Sequence, residues 1–483
     1  MQYKWVALSN TTIGTLMSSL DSNIVLIALP TIGKDLHTGL LDLIWILISY
    51  QLVTASVLVN FGRLADMFGR VRLYTLGFAI FTVGSALCSL SQTGAELIAF
   101  RVFQAVGAGF LFSNSAAILT DAFPASERGK ALGINQVSIV VGSVTGLVVG
   151  GLLTTAIGWQ SIFWVNVPIG AFATLWSHYK LHEVGRLRQG QSIDLVGNVC
   201  LAGSILAVLA GVTLYVIGGL SLVDTYLLLV VSACLFALFI FTERRVPEPM
   251  LDLSLFRIRA FAAGNLAILL NAMARGAVSL VLVFYLQGPT MRLDPFTAGV
   301  YLIPISASLA FTGPISGWLS DRYGARYLSS AGLVVSMIGF LLLTTIGPTI
   351  TFPALAVPLI FVGSGMGIFA APNRASIMNS VPAGERGIAS GISVTLVNIG
   401  STFSLAIAFL IMATVTPVAI LEQIFLGLSA PSGGAWVNTF ISSIHLVYYV
   451  STGFLIAALV PSLSRGARPR PVETETLEME GEG

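Results

Sequence analysis

The chain alternates between long apolar runs and short polar segments from one end to the other. A helix needs about 20 largely apolar residues to cross a bilayer. Fourteen runs are that long, and the pattern predicts a membrane-spanning helix in each. The segments between them leave no room for a soluble domain. The predicted spans are residues 5–29, 43–61, 73–92, 97–120, 131–156, 161–181, 194–216, 222–242, 259–286, 295–318, 326–347, 352–378, 387–412 and 437–461.

Composition supports a polytopic membrane protein and excludes a soluble one. Of the 483 residues, 55% are hydrophobic and 10% are charged, whereas roughly 25% are charged in an ordinary soluble domain. So few charges cannot cover a soluble surface, and the chain is too apolar to be disordered. The net charge of +2 gives no reason to expect a nucleic-acid partner. Cys88, Cys200 and Cys234 all lie within apolar runs, which predicts neither a disulfide framework nor a metal site.

Basic residues set the predicted orientation in the membrane. If the N-terminus is cytoplasmic, 19 lysine and arginine residues fall on the inside, and only Lys34 and Arg292 fall on the outside. Positive charge in short loops is retained on the cytoplasmic side. We therefore expect a multi-pass protein of the plasma membrane with both termini in the cytoplasm, in contact with the lipid bilayer and acting as a monomer.

An internal repeat divides the chain into two similar halves. Residues 62–69 and 317–324 share a pattern at an offset of 255, and residues 124–142 and 382–400 share another at an offset of 258. Six helices with their loops need roughly 180–200 residues, so two spans are surplus, and the repeat assigns these to 194–216 and 222–242. The predicted architecture is all-α, with two six-helix bundles and two inserted helices. Its parts are the N-terminal bundle 1–183, the inserted helices with flanking loops 184–258, the C-terminal bundle 259–464 and a disordered cytoplasmic tail 465–483.

Four motifs carry a resemblance to a known family. Residues 20–30 read LDSNIVLIALP in the first predicted helix, and residues 62–72 read GRLADMFGRVR between the second and third. The fourth helix has Arg101 followed by Gln104 and Gly107, and the fifth has a series of glycines from Gly133 to Gly151. The chain resembles the major facilitator superfamily, specifically its fourteen-helix drug:proton antiporter branch. The resemblance implies a secondary transporter that exports drugs by proton antiport and alternating access.

Asp21 and Arg101 are the predicted proton-coupling residues. A charge inside a membrane helix costs a few kcal/mol, so each should face a partner or a cavity. Asp21 lies about 24 Å from the inner end of its helix and Arg101 about 6 Å from the outer end of the fourth, which places both at a similar depth. We therefore expect the two side chains to be close. Protonation of Asp21 would release Arg101 and drive a conformational cycle; the alternative is a static buried ion pair.

Arg275 is a third charge at the same depth, about 22 Å from the inner end of the ninth helix, and it belongs to none of the motifs. Three readings are open: it contacts an anionic or carbonyl-rich substrate, it is a second partner of Asp21, or it snorkels or packs. No acidic residue lies inside a predicted helix of the C-terminal half, which weakens the case for an obligately cationic substrate. The other predicted substrate-binding residues are polar side chains within helices: Tyr50, Gln51, Asn114, Gln136, Asn271 and Asn373.

A charged cluster at the cytoplasmic ends of helices forms the predicted conformational latch. Arg70 is within reach of Asp66 and Asp121, and Gly69 permits the tight turn between them. The resemblance implies that this network stabilises the outward-facing state. The repeat supplies a second latch with Asp321, Arg322 and Arg326. The alternative is that these charges serve only topology and helix capping.

Glycines at four-residue spacing mark one face of the fifth helix. Gly142, Gly146 and Gly150, with the adjacent Gly151, would let another membrane helix approach closely. The resemblance implies that this partner is the tenth helix and that the interface prevents leak. Leu147 stands where the family has proline, which removes the expected kink. Plain tight packing is the alternative.

The sequence carries no nucleotide-binding motif and no nucleophile–base pattern, so we expect neither an enzyme nor a cofactor. The leading hypothesis is a proton-coupled exporter of hydrophobic or amphipathic small molecules, which makes protons and a small-molecule substrate its partners. A second hypothesis is export of an anionic lipid or metabolite that contacts Arg275. A third, from another class, is a membrane receptor that uses this fold without transport.

Overall fold

The computed structural model describes residues 2–124, 127–184, 194–216, 219–246, 253–382, 386–425 and 435–465, and the regular secondary structure in them is helical. The helices are α1 Tyr3–Asp35, α2 Leu40–Phe68, α3 Arg70–Leu90, α4 Gly94–Ala122, α5 Arg128–Ala156, α6 Ser161–Trp164, α7 Asn166–Lys180, α8 Leu195–Val216, α9 Leu222–Glu243, the 3-10 helix Leu253–Arg257, α10 Arg259–Arg275, α11 Val278–Gln287, α12 Pro295–Tyr323, α13 Ala325–Leu343, α14 Phe352–Asn379, α15 Arg386–Val415, α16 Val418–Phe425 and α17 Ala435–Leu463.

Thirteen spans in the described part of the chain are long and apolar enough to cross a membrane, whereas the pattern predicts fourteen. The difference lies in the sixth predicted span, which is divided into the short α6 and the 15-residue α7. Neither piece reaches the length of a span alone, although together they cover the predicted residues. The ninth span contains a break of its own between α10 and α11, at Gly276 and Ala277.

Local sequence explains where several helices begin. Thr93 accepts a hydrogen bond from the backbone N–H of Glu96, and Asp294 accepts one from Thr297 with Pro295 in the first turn. Such caps satisfy N–H groups that have no partner within the helix. Because lipid offers no hydrogen bonds, these helices must satisfy their backbone internally.

The helices form two bundles. In the N-terminal bundle α1 packs along α5, α3 packs along α4, and α2 packs against α4. In the C-terminal bundle α14 packs against both α12 and α13, and α10 lies between α15 and α17. The bundles meet where α5 contacts α12 and where α2 contacts α15. These two contacts flank the central cavity.

The inserted pair α8 and α9 is placed asymmetrically. α8 lies against both α2 and α15, so it covers one of the two contacts between the bundles. α9 packs on α8, where the hydroxyl oxygens of Ser204 and Ser232 are 3.1 Å apart and each donates to the other's backbone carbonyl. Most side chains of α9 are turned away from the protein. The α5–α12 contact has no comparable cover.

The predicted tail lies almost entirely outside the described residues. Its first residue, Arg465, is described and is buried just beyond the end of α17. Burial lowers the pKa of its guanidinium to about 10.

Candidate functional site

The centre of the N-terminal bundle holds a buried ion pair. Arg101 Nη1 donates to Asp21 Oδ2 at 2.6 Å, and both side chains are 1% exposed or less. Gln104 and Asn166 donate to the other carboxylate oxygen at 3.0 and 3.1 Å. The carboxylate therefore has partners on both oxygens. Four residues from α1, α4 and α7 make up this group, which we call the Asp21 cluster.

Arg101 has further contacts that hold it in place. Its guanidinium carbon lies 4.0 Å from the centre of the Tyr50 ring, a cation–π contact, and Nη1 also donates to Gln104 Oε1 at 2.6 Å. Gln104 in turn donates to Ser85 of α3 at 2.7 Å. The cluster thus ties four helices together. Asn166 did not emerge as a site residue from sequence; its place in the motif NVPIG was the available signal.

At their outer ends the two bundles are in close contact. A Cβ on Gly151 of α5 would meet the backbone of Pro295 and Phe296 in α12, and a Cβ on Gly299 would meet the carbonyl oxygen of Leu147. Such approach is possible only because the glycines lack side chains. In addition, Gln287 of α11 donates to the carbonyl oxygen of Ile27 in α1 at 2.8 Å. These contacts, the outer seal, close the extracellular side.

At their inner ends the same helix faces are apart. Gly133 lies 18 residues, or five helical turns, before Gly151, so both point in the same direction from α5. A Cβ on Gly133 would have no neighbour within 4 Å. Likewise Gly317 lies five turns after Gly299, and its only neighbour is Ala371 of α14 at 3.6 Å. The two bundles are therefore apart at their inner ends, the side that the charge pattern predicts to be cytoplasmic.

Arg275 is at the break between α10 and α11. Gly264 lies 11 residues earlier, about three turns, and packs against Ile377 of α14. Arg275 therefore faces the α14 side of α10. It is enclosed by protein but keeps part of its surface accessible. Among the described residues no ion pair or hydrogen bond satisfies its guanidinium, and the Asp21 carboxylate is bound elsewhere. The reading of Arg275 as a partner of Asp21 is thus wrong.

Arg374 of α14 lines the open inner side; its position within a predicted helix marks it as a polar residue that could line a cavity, but it is not among the predicted substrate-binding residues. Its side chain is surrounded by protein yet exposed, as expected of a residue on the wall of a cavity. It donates to Gln136 of α5 and to Ser390 of α15, both at 3.4 Å. Gln136 belongs to the other bundle, so this weak contact spans the opening.

The remaining predicted substrate-binding residues are more buried than expected. Tyr50 is occupied by Arg101, Asn114 donates to the carbonyl oxygen of Phe110 in its own helix, and Asn373 donates to that of Gly264. Four buried polar atoms of this set have no hydrogen-bond partner in the described structure: Tyr50 Oη, Gln51 Oε1, Asn271 Nδ2 and Asn373 Oδ1. Only Gln136 of this set is openly exposed.

The ion pairs expected in the first predicted latch are present, although the bundles part at their inner ends; the role of the latch stays a prediction. Arg70 donates to Asp66 at 2.8 Å and to Asp121 at 2.6 Å, and all three side chains are about one-quarter exposed. Gly69 has φ +110°, a conformation that favours glycine, and a Cβ there would lie 2.5 Å from Glu183 Oε1. These ion pairs lie within the N-terminal bundle and hold α2, α3 and α4 together.

The second predicted latch has a different arrangement. Arg322 stacks over the ring of Trp318 and Arg326 lies over that of Tyr327, each in its own helix. Neither arginine has a carboxylate partner among the described side chains. The side chain of Asp321 lies outside that set.

The glycine face of α5 has a different partner from the expected one. Gly142 and Gly146 lie against the backbone of α1, where added Cβ atoms would be 2.6 Å from the carbonyl oxygens of Leu16 and Leu20. Gly150 packs on the same helix. The contact with α12, the tenth predicted helix, is made by Gly151 and Leu147, which lie on the adjacent face. The expected interface is therefore wrong for three of the four glycines, because their face of α5 turns into its own bundle.

Two packed helical bundles that touch at the outer end and part at the inner end are the architecture of a membrane transporter. The chain belongs to the Major Facilitator Superfamily, whose family model matches residues 11–405. It is a multi-pass secondary transporter of small molecules and not an enzyme.

Individual relatives are named for several transported compounds. The chain is 35% identical to the riboflavin transporter RibZ of Clostridioides difficile over 413 residues, 85% of this chain and 88% of the relative. It is 34% identical to the multidrug resistance protein Stp of Mycobacterium tuberculosis, over 83% and 75% of the two chains. It is 28% identical to the tetracenomycin C resistance and export protein of Streptomyces glaucescens, over 85% and 76%.

Solved structures share the fold. A bacterial homolog of the human lysosomal transporter Spinster, in an inward-facing and unoccupied conformation, superposes with a TM-score of 0.66 at 18% identity and covers 95% of this chain and 96% of its own. The nucleoside transporter NupG gives a TM-score of 0.60 at 12% identity, over 96% and 100%. At these identities the likeness concerns the fold alone.

Proposed function

We propose that the protein exports hydrophobic or amphipathic small molecules in exchange for protons, with Asp21 as the proton-binding group. The observation that carries the proposal is the Asp21 cluster. It places one carboxylate, fully buried and bound to one guanidinium, in the middle of the N-terminal bundle. Proton exchange at such a group changes the local charge balance more than at any exposed site.

Protonation of Asp21 removes the charge that holds Arg101. A buried arginine without its counter-ion is costly, so Arg101 must find another environment. Tyr50 and Gln104 already contact it and can remain its neighbours while α1 and α4 shift. The two protonation states of Asp21 therefore favour two helix arrangements.

α1 connects this chemistry to the outer seal. The contact of Gly150 with Ile24 and the bond from Gln287 to the carbonyl oxygen of Ile27 both lie on the outer side of Asp21. A tilt of α1 would strain both contacts together. Opening of the outer side and closing of the inner side then exposes the substrate to the other face of the membrane.

The names of the relatives support small organic substrates. Riboflavin transport and tetracenomycin C export are functions of RibZ and of the Streptomyces protein, and multidrug resistance is that of Stp. We extend to this chain the class that these names share, export or transport of small organic molecules, and use riboflavin and tetracenomycin C as the first compounds to assay.

The test is transport by purified protein in proteoliposomes under an imposed pH gradient. Wild type should move substrate against its gradient, and Asp21→Asn should lose the response to pH while still exchanging substrate down its gradient. Asp35→Asn is the matched control, since Asp35 is an exposed acid in the same helix. An equal pH response in wild type and Asp21→Asn would remove Asp21 from coupling. Absence of both flux and substrate-induced proton release would favour the receptor hypothesis.

A further inference from the structure

The membrane-spanning part of the C-terminal bundle carries positive charge without negative charge. Its spans from Arg259 to Leu463 contain Arg275 and Arg374 in their interior and no aspartate or glutamate. In the N-terminal bundle the interior charges are Asp21 and Arg101, which neutralise each other. The centre of the protein therefore has an excess of positive charge on one wall.

The two arginines stand at successive depths of the inward-open cavity. Arg374 lies five residues, about 7 Å, from the inner end of α14, and Arg275 lies 16 residues, about 24 Å, from the inner end of α10. Arg275 lies on the face of α10 that packs against α14 at Gly264. Arg374 follows Asn373, which donates to the carbonyl oxygen of Gly264, and its own guanidinium points to α5 and α15. A molecule that enters from the cytoplasm meets Arg374 first and Arg275 second.

Neither guanidinium is satisfied by the protein. Arg275 has no hydrogen-bond or ion-pair partner among the described residues. Arg374 has two neutral acceptors at 3.4 Å, whereas a charge-assisted bond to an anion is about 2.7–2.9 Å long. A planar five-donor fork of this kind matches carboxylates, phosphates and paired carbonyl oxygens. Binding of an anionic ligand to either arginine is therefore favourable, because it forms charge-assisted hydrogen bonds where the protein supplies weak ones or none.

We propose that the transported substrates are anionic or carbonyl-rich amphipathic molecules, attracted by Arg374 at the cytoplasmic mouth and bound by Arg275 at the break between α10 and α11. The inference rests on the proposed function only in taking the central cavity as the transport path. A cavity lined by one sign of charge concentrates ligands of the opposite sign.

The experiment compares two dyes with one ring system and opposite charge: carboxyfluorescein, an anion, and rhodamine 6G, a cation. Equilibrium binding to the detergent-solubilised full-length protein is measured by fluorescence anisotropy. Carboxyfluorescein should bind at least tenfold more tightly than rhodamine 6G. Arg275→Gln should weaken carboxyfluorescein binding at least tenfold, Arg275→Lys should weaken it less, and Arg374→Gln should slow association in a salt-dependent manner. Arg244→Gln, in an exposed arginine at the end of α9, is the control and should change nothing.

Preference for rhodamine 6G, or unchanged carboxyfluorescein binding in Arg275→Gln, would overturn the proposal. If Arg275→Gln does not fold, the test is the salt dependence of carboxyfluorescein binding to the wild-type protein. Between 50 and 500 mM salt the Debye length changes roughly threefold. Binding that does not weaken over this range contradicts an electrostatic site. Binding needs no pH gradient, so the two proposals can fail separately. If a pH gradient drives the transport of cations only, the proposed proton coupling stands and the proposed substrate class fails. If binding depends on Arg275 but transport does not respond to pH, the substrate class stands and the proton coupling fails.

Discussion

Arg275 occupies in the C-terminal bundle the position that Ser22 occupies in the N-terminal bundle. The internal repeat relates Gly142 to Gly400. A Cβ on Gly142 would lie 2.6 Å from the carbonyl oxygen of Leu16, which is six residues before Ser22. A Cβ on Gly400 would lie 2.7 Å from the carbonyl oxygen of Leu269, which is six residues before Arg275. The helix pairs α1–α5 and α10–α15 are thus packed in the same register. Arg275 in the second pair stands where the first pair has Ser22.

The equivalence separates the two tasks of the transporter. In the N-terminal half the residue before Ser22 is Asp21, which is directed into its own bundle and bound to Arg101. In the C-terminal half the residue next to the equivalent position is Ala274, and the charge lies on Arg275. We interpret the first as the proton site and the second as the substrate site.

Arg101→Ala is expected to destabilise the protein by about 3–5 kcal/mol, because it leaves the Asp21 carboxylate buried without a counter-ion. Thermal unfolding in detergent should show the loss as a lower melting temperature. The double variant Arg101→Ala with Asp21→Asn should recover part of it, since it removes the unpaired charge. No recovery would indicate that packing of the arginine, rather than its charge, supplies the stability.

Gly146→Ala is expected to cost about 1–3 kcal/mol, as overpacking in a tight contact does. The new Cβ would lie 2.6 Å from the carbonyl oxygen of Leu20, so α1 and α5 must separate. Gly133→Ala is the matched control in the same helix, because its Cβ would have no neighbour within 4 Å. Equal melting temperatures of the two variants would contradict the α1–α5 packing.

Gly69→Ala is expected to destabilise more than Gly324→Ala. Both glycines have positive φ, +110° and +86°, so both variants bear a backbone cost of about 1–2 kcal/mol. Only at Gly69 does the new Cβ also meet a side chain, that of Glu183. The difference between their melting temperatures measures this contact, and Glu183→Ala should abolish the difference. A difference that persists would place its origin in the backbone.

Cysteine labelling should report the inward-open state. In a Cys234→Ser background, which removes the exposed native thiol, Gln136→Cys should react with a membrane-impermeant maleimide in inside-out vesicles. Leu147→Cys lies 11 residues, about three turns, further out, where Leu147 is 2% exposed, and should stay unlabelled. Rapid labelling of Leu147→Cys together with protection of Gln136→Cys would show that the opposite conformation predominates.

Export of an anion in exchange for one proton should depend strongly on membrane potential. Each cycle moves at least two positive charges inward, one for the proton and one for each negative charge exported, equivalent to about 4.6 kcal/mol or more at 100 mV. Carboxyfluorescein flux in proteoliposomes, with a potassium gradient and valinomycin to set the potential, should increase when the potential favours inward positive charge. Flux that is indifferent to potential would exclude this exchange.

Sequence alone was sufficient for the class of fold and for the pairing of Asp21 with Arg101. Long apolar runs can be satisfied in lipid only as helices, and this constraint acts on each segment separately, so the spans could be placed without knowledge of packing. The internal repeat predicted two bundles and the inserted pair. The depths of Asp21 and Arg101 followed from helix rise, since a membrane fixes the common axis along which residues are compared.

Only the tertiary structure decided which faces meet. Helix rise gives depth but no direction around the helix axis, and therefore Gly142, Gly146 and Gly150 could not be assigned to α1 in place of α12. For the same reason Arg275 was open to three readings until its surroundings were known. Asn166 and Arg374 depend on helices that are distant in sequence, and no periodicity within one segment reports such contacts. The depth of each residue follows from the requirement that a helix cross the lipid bilayer. The contacts of that residue follow from how neighbouring helices pack.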